Sequence, residues 1–206
     1  FPIPPTQCAW TGPTNPGSCD DGANDDHGHG THVAGSVLGD GTLWPDVQGM
    51  APEAQLLVHA IEHGGSLAGL PNDLGDMFDL AVDNGSRVHT NSWGSSVAGY
   101  YTTSSMQSDI NALKNDELVI MFAASNDGVD ADGDGKIDED SMGSPATAKN
   151  VISIGASENL RTNATGSWPA WASNNISGMA TFSSRGPTDD GRLKPDFSAP
   201  GTNILS

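Results

Sequence analysis

Residues 118–124 have the sequence LVIMFAA, an apolar run that no polar residue interrupts. A run of this length is typical of a β-strand that is buried on both faces, as the strands of parallel sheets are. Residues 55–61 (QLLVHAI) and 151–156 (VISIGA) have similar runs, and residues 87–92 (RVHTNS) predict a shorter strand. The sequence therefore predicts four strands, three of them deeply buried.

Helical segments alternate with these strands. Apolar residues recur at helical spacing in residues 29–38, 74–83 and 104–116. The alternation predicts an α/β fold in which helices cover both faces of a mostly parallel sheet. The residues expected on the apolar faces are Val33, Ala34 and Val37 in the first segment, Leu74, Met77, Phe78 and Ala81 in the second, and Ile110 and Leu113 in the third.

Polar residues directly follow two of the predicted strands. One cluster is residues 91–94 (NSWG), and the other is residues 125–128 (SNDG). Sites in parallel sheets form in the loops at the carboxyl ends of the strands, so both clusters are candidates for a functional site.

The charge of the chain limits its partners. The 206 residues include 8 Lys and Arg against 26 Asp and Glu, so the formal net charge is −18. Nucleic acid and anionic membrane surfaces would repel such a chain, and we expect neither as a partner. The sequence has no run of 18 apolar residues, so we also expect no membrane-spanning segment. We expect a monomer with one sizeable core.

The two ends of the sequence lead to further expectations. The chain begins at Phe1 and stops at Ser206 without a terminal helix or tail, so we expect a fragment, with a protease-matured chain as the alternative. Residues 1–26 predict an N-terminal loop, and residues 27–206 predict the folded part. Cys8 and Cys19 flank a loop rich in Pro and Gly, which suits a disulfide in an exported protein; two free thiols are the alternative.

Three histidines fall within six residues, 27–32 (HGHGTH). The pattern is close to the H-x-H-x-D-H motif of binuclear zinc hydrolases, but Thr31 stands where that motif needs aspartate. No motif supplies the remaining zinc ligands. A histidine at the start of a helix, followed by small residues that let a substrate approach, favours a catalytic base instead. A third interpretation makes all three histidines polar loop residues.

Several segments resemble the motifs of subtilisin-like serine proteases, in the order that this family has them. Residues 29–35 (HGTHVAG) match the family's histidine motif at all seven positions. Residues 91–94 resemble its substrate-binding strand, and residues 122–128 (FAASNDG) resemble its oxyanion-asparagine motif, A-A-G-N-x-G. The resemblance is closest to the oxidatively stable alkaline proteases. Further matching segments are 49–52 (GMAP), 146–150 (ATAKN), 183–187 (SSRGP) and 194–201 (KPDFSAPG).

The resemblance implies a subtilisin-like three-layer α/β fold and a secreted serine endopeptidase that forms an acyl-enzyme on a polypeptide substrate. His29 is then the general base, Asn126 donates its side-chain amide to the oxyanion, and His32 is structural. The family binds peptide as a strand between two enzyme segments, where glycines let backbones approach. Glycines that serve only turns are the alternative. The implied substrate-binding residues are Ser66, Leu67, Ser92, Trp93, Gly94, Ala124 and Ser125.

The sequence departs from the family pattern on both sides of these motifs. The D-[ST]-G turn of the triad aspartate does not occur before His29, and the G-T-S-M-A segment of the nucleophile does not follow residues 199–204 (APGTNI). We therefore expect this chain to be inactive alone, and a non-catalytic calcium- or peptide-binding module is the alternative. Ser125 replaces the family's glycine and is expected to narrow the specificity pocket.

Residues 130–138 (DADGDGKID) predict a calcium loop of the EF-hand type. Aspartates at loop positions 1, 3 and 5 converge on a hard cation, and Gly135 allows the sharp turn at position 6. Position 12 is Ser141 instead of glutamate, so Glu139 or Asp140 would complete the site. A solvated acidic loop is the alternative to structural calcium. The predicted ligands are Asp130, Asp132, Asp134, Lys136, Asp138 and Asp140.

Overall fold

A computed structural model describes residues 25, 27–62, 66–67, 69–161 and 173–206. They form two compact units: one contains the described residues up to Gly85 together with Leu205–Ser206, and the other is Ser86–Ile204. Apart from Asp25, the predicted N-terminal loop lies outside the described residues, as do both cysteines. Over the described ranges, no helix has the length and apolarity that a membrane crossing needs.

The first unit contains two of the predicted helices. Helix α1 spans His29–Leu38, and helix α2 spans Leu74–Asp83. Asp73 caps α2, because its carboxylate accepts a hydrogen bond from the Gly75 amide at 2.9 Å. The apolar spacing of α2 correctly predicts its buried face, which includes Leu74, Met77, Phe78 and Ala81. A short 3-10 helix, Pro45–Val47, lies between the two helices.

The predicted strand at residues 55–61 is wrong. These residues have no regular secondary structure, and Leu56 and Val58 remain 43% and 40% exposed. An apolar run reports only that side chains avoid water. A strand also needs a neighbouring strand to bond with its backbone, and an apolar run does not reveal whether one is present.

The second unit is built on a parallel sheet of four strands. They are β1 (Val88–Asn91), β2 (Val119–Ala123), β3 (Ile152–Ser157) and β4 (Phe197–Pro200). The spatial order is β1-β2-β3-β4, and every neighbouring pair is parallel. The sequence correctly predicts the first three strands and the parallel arrangement, but it predicts no strand at the position of β4.

The burial of β2 differs from the prediction. Ile120 and Phe122 are 2% and 1% exposed, whereas Val119, on the opposite face, is 43% exposed. The described part of the unit thus buries one face of β2 and leaves the other partly open. The remaining buried apolar side chains of this unit lie mainly in the loops that follow the strands, and they include Ala124, Met142, Ala146, Ala148, Val151 and Ala180.

Helix α3, Thr103–Lys114, connects β1 to β2 and has an inverted pattern of burial. Ile110 and Leu113, its predicted apolar face, are 55% and 79% exposed. The inward face is polar: Asp109 accepts from the amides of Lys149 and Asn150 at 2.8 and 2.6 Å. Hydrogen bonds to the loop after β2 therefore hold this helix, and the expectation from apolar spacing fails. Further inward contacts of this kind join Ser105 Oγ to Thr147 Oγ1 (2.8 Å) and Tyr101 Oη to Asp109 (2.7 Å).

Candidate active site and candidate metal loop

His29 is the first residue of α1, and the cap before it is unusual. Gly28 occupies the N-cap position with φ +80° and has no side chain to accept a hydrogen bond. Asp25 supplies the acceptor, because its carboxylate accepts from the amides of Gly28 and Thr31 at 2.9 and 2.5 Å. The hydrogen bond from the Thr31 amide holds the pKa of Asp25 below its ordinary value. The imidazole of His29 is therefore exposed at a fixed helix end.

The other end of α1 is satisfied by residues 49–51. The amides of Gly49 and Ala51 donate to the carbonyls of Gly39 and Val37 at 2.8 and 2.7 Å. A Cβ on Gly49 would lie 2.6 Å from the Gly39 nitrogen, so this close approach requires glycine. The GMAP segment therefore anchors the C-terminal end of α1, the helix whose first residue is His29.

The three histidines do not gather into one group. The rings of His27 and His29 meet edge-on with their centroids 6.2 Å apart, while His32 lies one turn into α1. Among the described residues, the one group of His, Cys, Asp or Glu side chains whose ligand atoms converge within 4.8 Å is Asp130, Asp132 and Asp134. The zinc interpretation gains no support from this arrangement.

The loop after β2 presents Asn126. Ala124 is buried, Ser125 follows with φ +102°, and Asn126 is exposed. A left-handed φ is strained for a residue with a Cβ and costs on the order of 1–3 kcal/mol. This left-handed residue follows the end of the strand, and the next residue, Asn126, is exposed.

Residues 92–96 leave β1 beside this loop. Ser92 and Gly94 are exposed, and the Trp93 ring packs edge-on against Phe122 with centroids 5.4 Å apart. A Cβ on Gly94 would lie 2.7 Å from the Ser144 carbonyl oxygen. Gly94 is therefore needed for a close approach within the protein itself, whereas the resemblance explained it by contact with substrate.

Residues 143–144 form a third segment, which contacts the loops that follow β1 and β2. Ser95 and Ser144 exchange two backbone hydrogen bonds of 2.9 and 3.0 Å, and the Gly143 amide donates to Ala124 at 3.0 Å. A Cβ on Gly143 would lie 2.7 Å from the Ser125 Cβ, so the Ser125 side chain fills the space there. The loops after β1 and β2 thus meet against residues 143–144, with Ser125 between them.

Ser66 and Leu67, the other expected substrate-binding residues, belong to the first unit. Both are exposed, and Ser66 takes part in an isolated β-bridge. The structure thus brings together Ser92, Trp93, Gly94, Ala124 and Ser125 in the second unit, and it holds His29, Ser66 and Leu67 in the first.

Hydrogen bonds within the acidic loop, residues 130–138, close it on itself. The Asp130 carboxylate accepts from the amides of Gly133 and Gly135 at 2.8 and 3.0 Å, and both glycines have positive φ. The backbone of Asp138 bonds to Val129 at 2.7 Å and closes the loop. Carboxylates from Asp130, Asp132 and Asp134 then converge on its exposed side.

The remaining predicted ligands behave differently. The Lys136 ammonium lies 3.9 Å from Asp134. Because this side chain is itself positively charged, Lys136 can offer a cation only its backbone carbonyl. Asp138 accepts from the Ala131 amide at 2.9 Å within the loop. Asp140, with φ +64°, lies beside Gly99, where its Oδ1 would be 2.5 Å from a Cβ. The Ser141 hydroxyl accepts a hydrogen bond from the Arg185 amide, and the Ser141 amide donates to the Arg185 carbonyl.

A family model described as Peptidase_S8, the Subtilase family, matches residues 5–206. The chain belongs to the subtilase family. It has an α/β subtilisin-like fold, as the sequence motifs predict.

Curated relatives of this subtilase share about a third of its residues. It is 30% identical to Serine protease AprX of Bacillus subtilis (strain 168), over 88% of this chain and 39% of the relative. It is 31% identical to Subtilisin of Bacillus sp. (strain TA39), over 88% of this chain and 40% of the relative. The alignment with Serine protease/ABC transporter B family protein tagB of Dictyostelium discoideum, 30% identical, covers 89% of this chain and 13% of the relative. The chain therefore spans well under half the length of these relatives.

Solved structures agree with this assignment. The S41 Psychrophilic Protease matches the subtilase with a TM-score of 0.59 and 28% identity, over 88% of this chain and 55% of that one. Sphericase matches with a TM-score of 0.59 and 28% identity, over 86% and 54%. The relatives differ in location by name, since they include a Minor extracellular protease Epr and a Major intracellular serine protease, both of Bacillus subtilis (strain 168).

Sequence reasoning missed two residues near the candidate site of this subtilase. Asp25 lies inside the predicted N-terminal loop and has no predicted role, although aspartate near a helix start is a recognised capping signal. Asp127 belongs to the predicted polar cluster of residues 125–128, but the sequence assigns it no role of its own, because its hydrogen bond from Ser96 spans 31 residues. Sequence spacing reveals the first kind of contact and gives no signal for the second.

Proposed function

We propose that the chain is the central part of a serine endopeptidase that cleaves polypeptides through an acyl-enzyme. The observation that carries the proposal is the exposed Asn126 amide at the carboxyl end of β2, beside the loop that leaves β1. An amide fixed at such a strand end can donate to a developing oxyanion. His29, exposed at the start of α1, would take the proton of the nucleophilic serine and return it to the leaving amine.

The polypeptide substrate would bind along the exposed backbone after β1. Ser92 and Gly94 are exposed there, and Trp93 holds the segment in place through Phe122. On the β2 side, Ala124 and Ser125 would form the facing wall, and the Ser125 side chain against Gly143 supports a shortened specificity pocket. By the family resemblance, we propose that Ser66 and Leu67 of the first unit bind polypeptide as well.

The sequence has neither the D-[ST]-G turn nor the G-T-S-M-A segment, and we propose that the 206-residue chain alone has no peptidase activity. Removal of triad members leaves only weak catalysis from the oxyanion hole and from binding. We expect the purified chain to show no labelling by a fluorophosphonate and no cleavage of casein. Stoichiometric labelling together with casein cleavage would contradict this expectation.

The complete gene product separates the two proposed functions. A serine endopeptidase should carry D-[ST]-G upstream and G-T-S-M-A downstream, and should hydrolyse casein. A non-catalytic calcium- or peptide-binding module would lack the nucleophile segment and would bind peptide without turnover. We favour the enzyme because the His29 cap and the Asn126 loop are both formed by specific hydrogen bonds in this chain. From the resemblance to subtilisin-like serine proteases, we propose that the protein is secreted. We also propose that it is a monomer.

We propose that residues 130–138 hold a structural calcium ion. The donor set fits: Asp130, Asp132 and Asp134 offer carboxylate oxygens, and each carboxylate retains lone pairs after accepting its backbone amide. The Lys136 carbonyl would supply the ligand of position 7, and Asp138 that of position 9. Glu139 and Asp140 are both exposed and either would supply the last carboxylate in place of position 12, although the Asp140 carboxylate also lies beside Gly99.

Calcium should therefore stabilise the complete protein. A ligand that binds only the folded form adds RT ln(1 + [L]/Kd), so calcium at 100 times its Kd adds about 2.7 kcal/mol to the free energy of unfolding. Magnesium should add much less, because it tolerates flexible oxygen loops poorly. The measurement is thermal unfolding in EDTA and in millimolar calcium.

The control is a change of equal charge elsewhere. Asp132→Ala with Asp134→Ala should abolish the calcium-dependent rise in Tm, whereas Asp83→Ala with Asp116→Ala, two exposed carboxylates outside the loop, should keep it. If the loop variant gains as much from calcium as the unmodified protein, the stabilising ion binds elsewhere and the loop is only a solvated acidic segment.

A further inference from the structure

We infer that Asp127 is a positioning residue, which joins the loops after β1 and β2 and thereby fixes the Asn126 amide. The inference rests on the proposed function, because Asn126 matters to catalysis only if it serves an oxyanion. It concerns four residues, Ser96, Ser125, Asp127 and Ser184, which we call the Asp127 clamp.

The two oxygens of the Asp127 carboxylate accept hydrogen bonds from different loops. Its Oδ1 accepts a hydrogen bond from the hydroxyl of Ser96, in the loop after β1, at 2.6 Å. Its Oδ2 accepts from the hydroxyl of Ser125, in its own loop, also at 2.6 Å. Both distances are typical of hydroxyls that donate to a charged carboxylate, the stronger class of hydrogen bond. One side chain thus ties together the carboxyl ends of two neighbouring strands.

The backbone around Asn126 is anchored from the opposite direction by residues 182–184. The Asp127 amide donates to the Ser184 hydroxyl at 3.1 Å, and the Ser184 amide donates to the Ser125 carbonyl at 3.1 Å. The Gly128 amide donates to the Phe182 carbonyl at 2.9 Å. The residues on either side of Asn126 are therefore held, while its own side chain remains exposed.

The clamp also explains how the loop keeps a strained residue. Ser125 has φ +102°, a conformation that a serine leaves unless its surroundings hold it. Its hydroxyl bond to Asp127 and its packing against Gly143 supply that restraint. Without the carboxylate, Ser125 can relax toward an ordinary φ, and this rotation would carry Asn126, the next residue, away from its present direction.

Small shifts at this position have large kinetic consequences. An oxyanion donor acts when it lies about 2.7–3.1 Å from the position that the oxyanion will take. A misplacement of about 1 Å can cost on the order of 100-fold in rate. A loosened loop, in which the donor visits the correct position for part of the time, should lose less than complete removal of the donor.

The test uses the complete protease that contains this sequence. We expect Asp127→Ala to lower kcat by about 10-fold with KM changed less than two-fold, because a misplaced donor weakens only the transition state. Ser96→Ala should lower kcat by a smaller factor in the same direction. Asp127→Asn should recover most of the loss, since its amide can still bond to both hydroxyls. Asp116→Ala, an exposed carboxylate in the turn before β2, is the matched control and should leave kcat unchanged.

A double-mutant cycle separates positioning from a general structural effect. In an Asn126→Ala background, Asp127→Ala should reduce kcat by less than two-fold, because the donor that it positions is already gone. If the two losses multiply instead, Asp127 acts independently of Asn126 and the inference is wrong. Equal kcat for Asp127→Ala and the unmodified protease would overturn it as well.

Hydrogen exchange tests the clamp without reference to activity. The amides of Gly128 and Ser184 should exchange at least several-fold faster in Asp127→Ala and in Ser96→Ala, and at the unmodified rate in Asp116→Ala. Unchanged exchange in both clamp variants would overturn the inference. If Asn126→Ala alone leaves kcat unchanged while exchange accelerates as expected, the clamp stands and the proposed oxyanion role fails. Ser96→Ala removes one exposed hydroxyl, so it serves even if Asp127→Ala does not fold.

Discussion

In the complete protease, His29→Ala is expected to lower kcat by about six orders of magnitude, the loss that removal of the base causes in subtilisin, a member of the same family. The physical reason is that serine attacks only when a neutral imidazole accepts its proton. The measurement is steady-state hydrolysis of a chromogenic peptide, together with fluorophosphonate labelling. Both signals should disappear.

The neighbouring histidines supply the controls for this variant. His27→Ala and His32→Ala remove imidazoles two residues before and three residues after His29, and both should keep kcat within about ten-fold, since neither residue is expected to touch the nucleophile. If His29→Ala keeps its activity while one of these variants loses it, the base has been assigned to the wrong histidine.

Asn126→Ala in the same protease is expected to lower kcat by about 10²–10³-fold, or about 2.7–4 kcal/mol of barrier, with little change in KM; the magnitude is that of the oxyanion asparagine of a subtilisin. The side-chain amide would stabilise charge that develops only in the transition state, so substrate binding should be spared. The measurement is kcat and KM on the same chromogenic peptide.

An asparagine outside the site provides the comparison. Asn174→Ala removes an exposed amide from the segment between β3 and β4, outside the family motifs, and should leave both kinetic constants unchanged. A ten-fold or larger rise in KM with unchanged kcat for Asn126→Ala would show that the residue binds substrate and does not serve an oxyanion.

Local sequence signals correctly predict the elements whose stability is local. Helix α2 has apolar residues at helical spacing and an Asp73 cap, and its observed bounds equal the predicted ones. Strands β2 and β3 are apolar runs between turn residues, and both form near the expected positions. In each case, the residues that stabilise the element lie within it or next to it.

The failures occur where a distant partner decides the structure. Residues 55–61 have the composition of a strand but no strand conformation. Residues 197–200 become strand β4 by bonding to β3, although they lie about 40 residues away and carry a weak strand signal. A sequence shows how hydrophobic each segment is, whereas the pairing of strands depends on which segments come together in the fold.

The candidate site divides in the same way. The motif residues His29 and Asn126, and the converging Asp130, Asp132 and Asp134, follow from spacing within short segments. The hydrogen bonds from the Ser96 hydroxyl to Asp127 and from the Asp127 amide to the Ser184 hydroxyl join residues 31 and 57 positions apart. No local pattern marks Asp127 as a partner of either serine, so its role emerges only from the folded chain.

The inverted burial of helix α3 has a consequence for how the second unit finds a single arrangement. Apolar surfaces attract without direction, so a helix held by them can slide or rotate by small amounts at little cost. The inner face of α3 instead matches donors to acceptors one by one, with Asp109 receiving two successive amides at 2.8 and 2.6 Å. A shift by one residue would leave the buried Asp109 carboxylate without these partners, which is costly. These hydrogen bonds therefore allow only one position of α3 relative to residues 144–150. They also fix the path of residues 144–150, against which the loops of the candidate site pack.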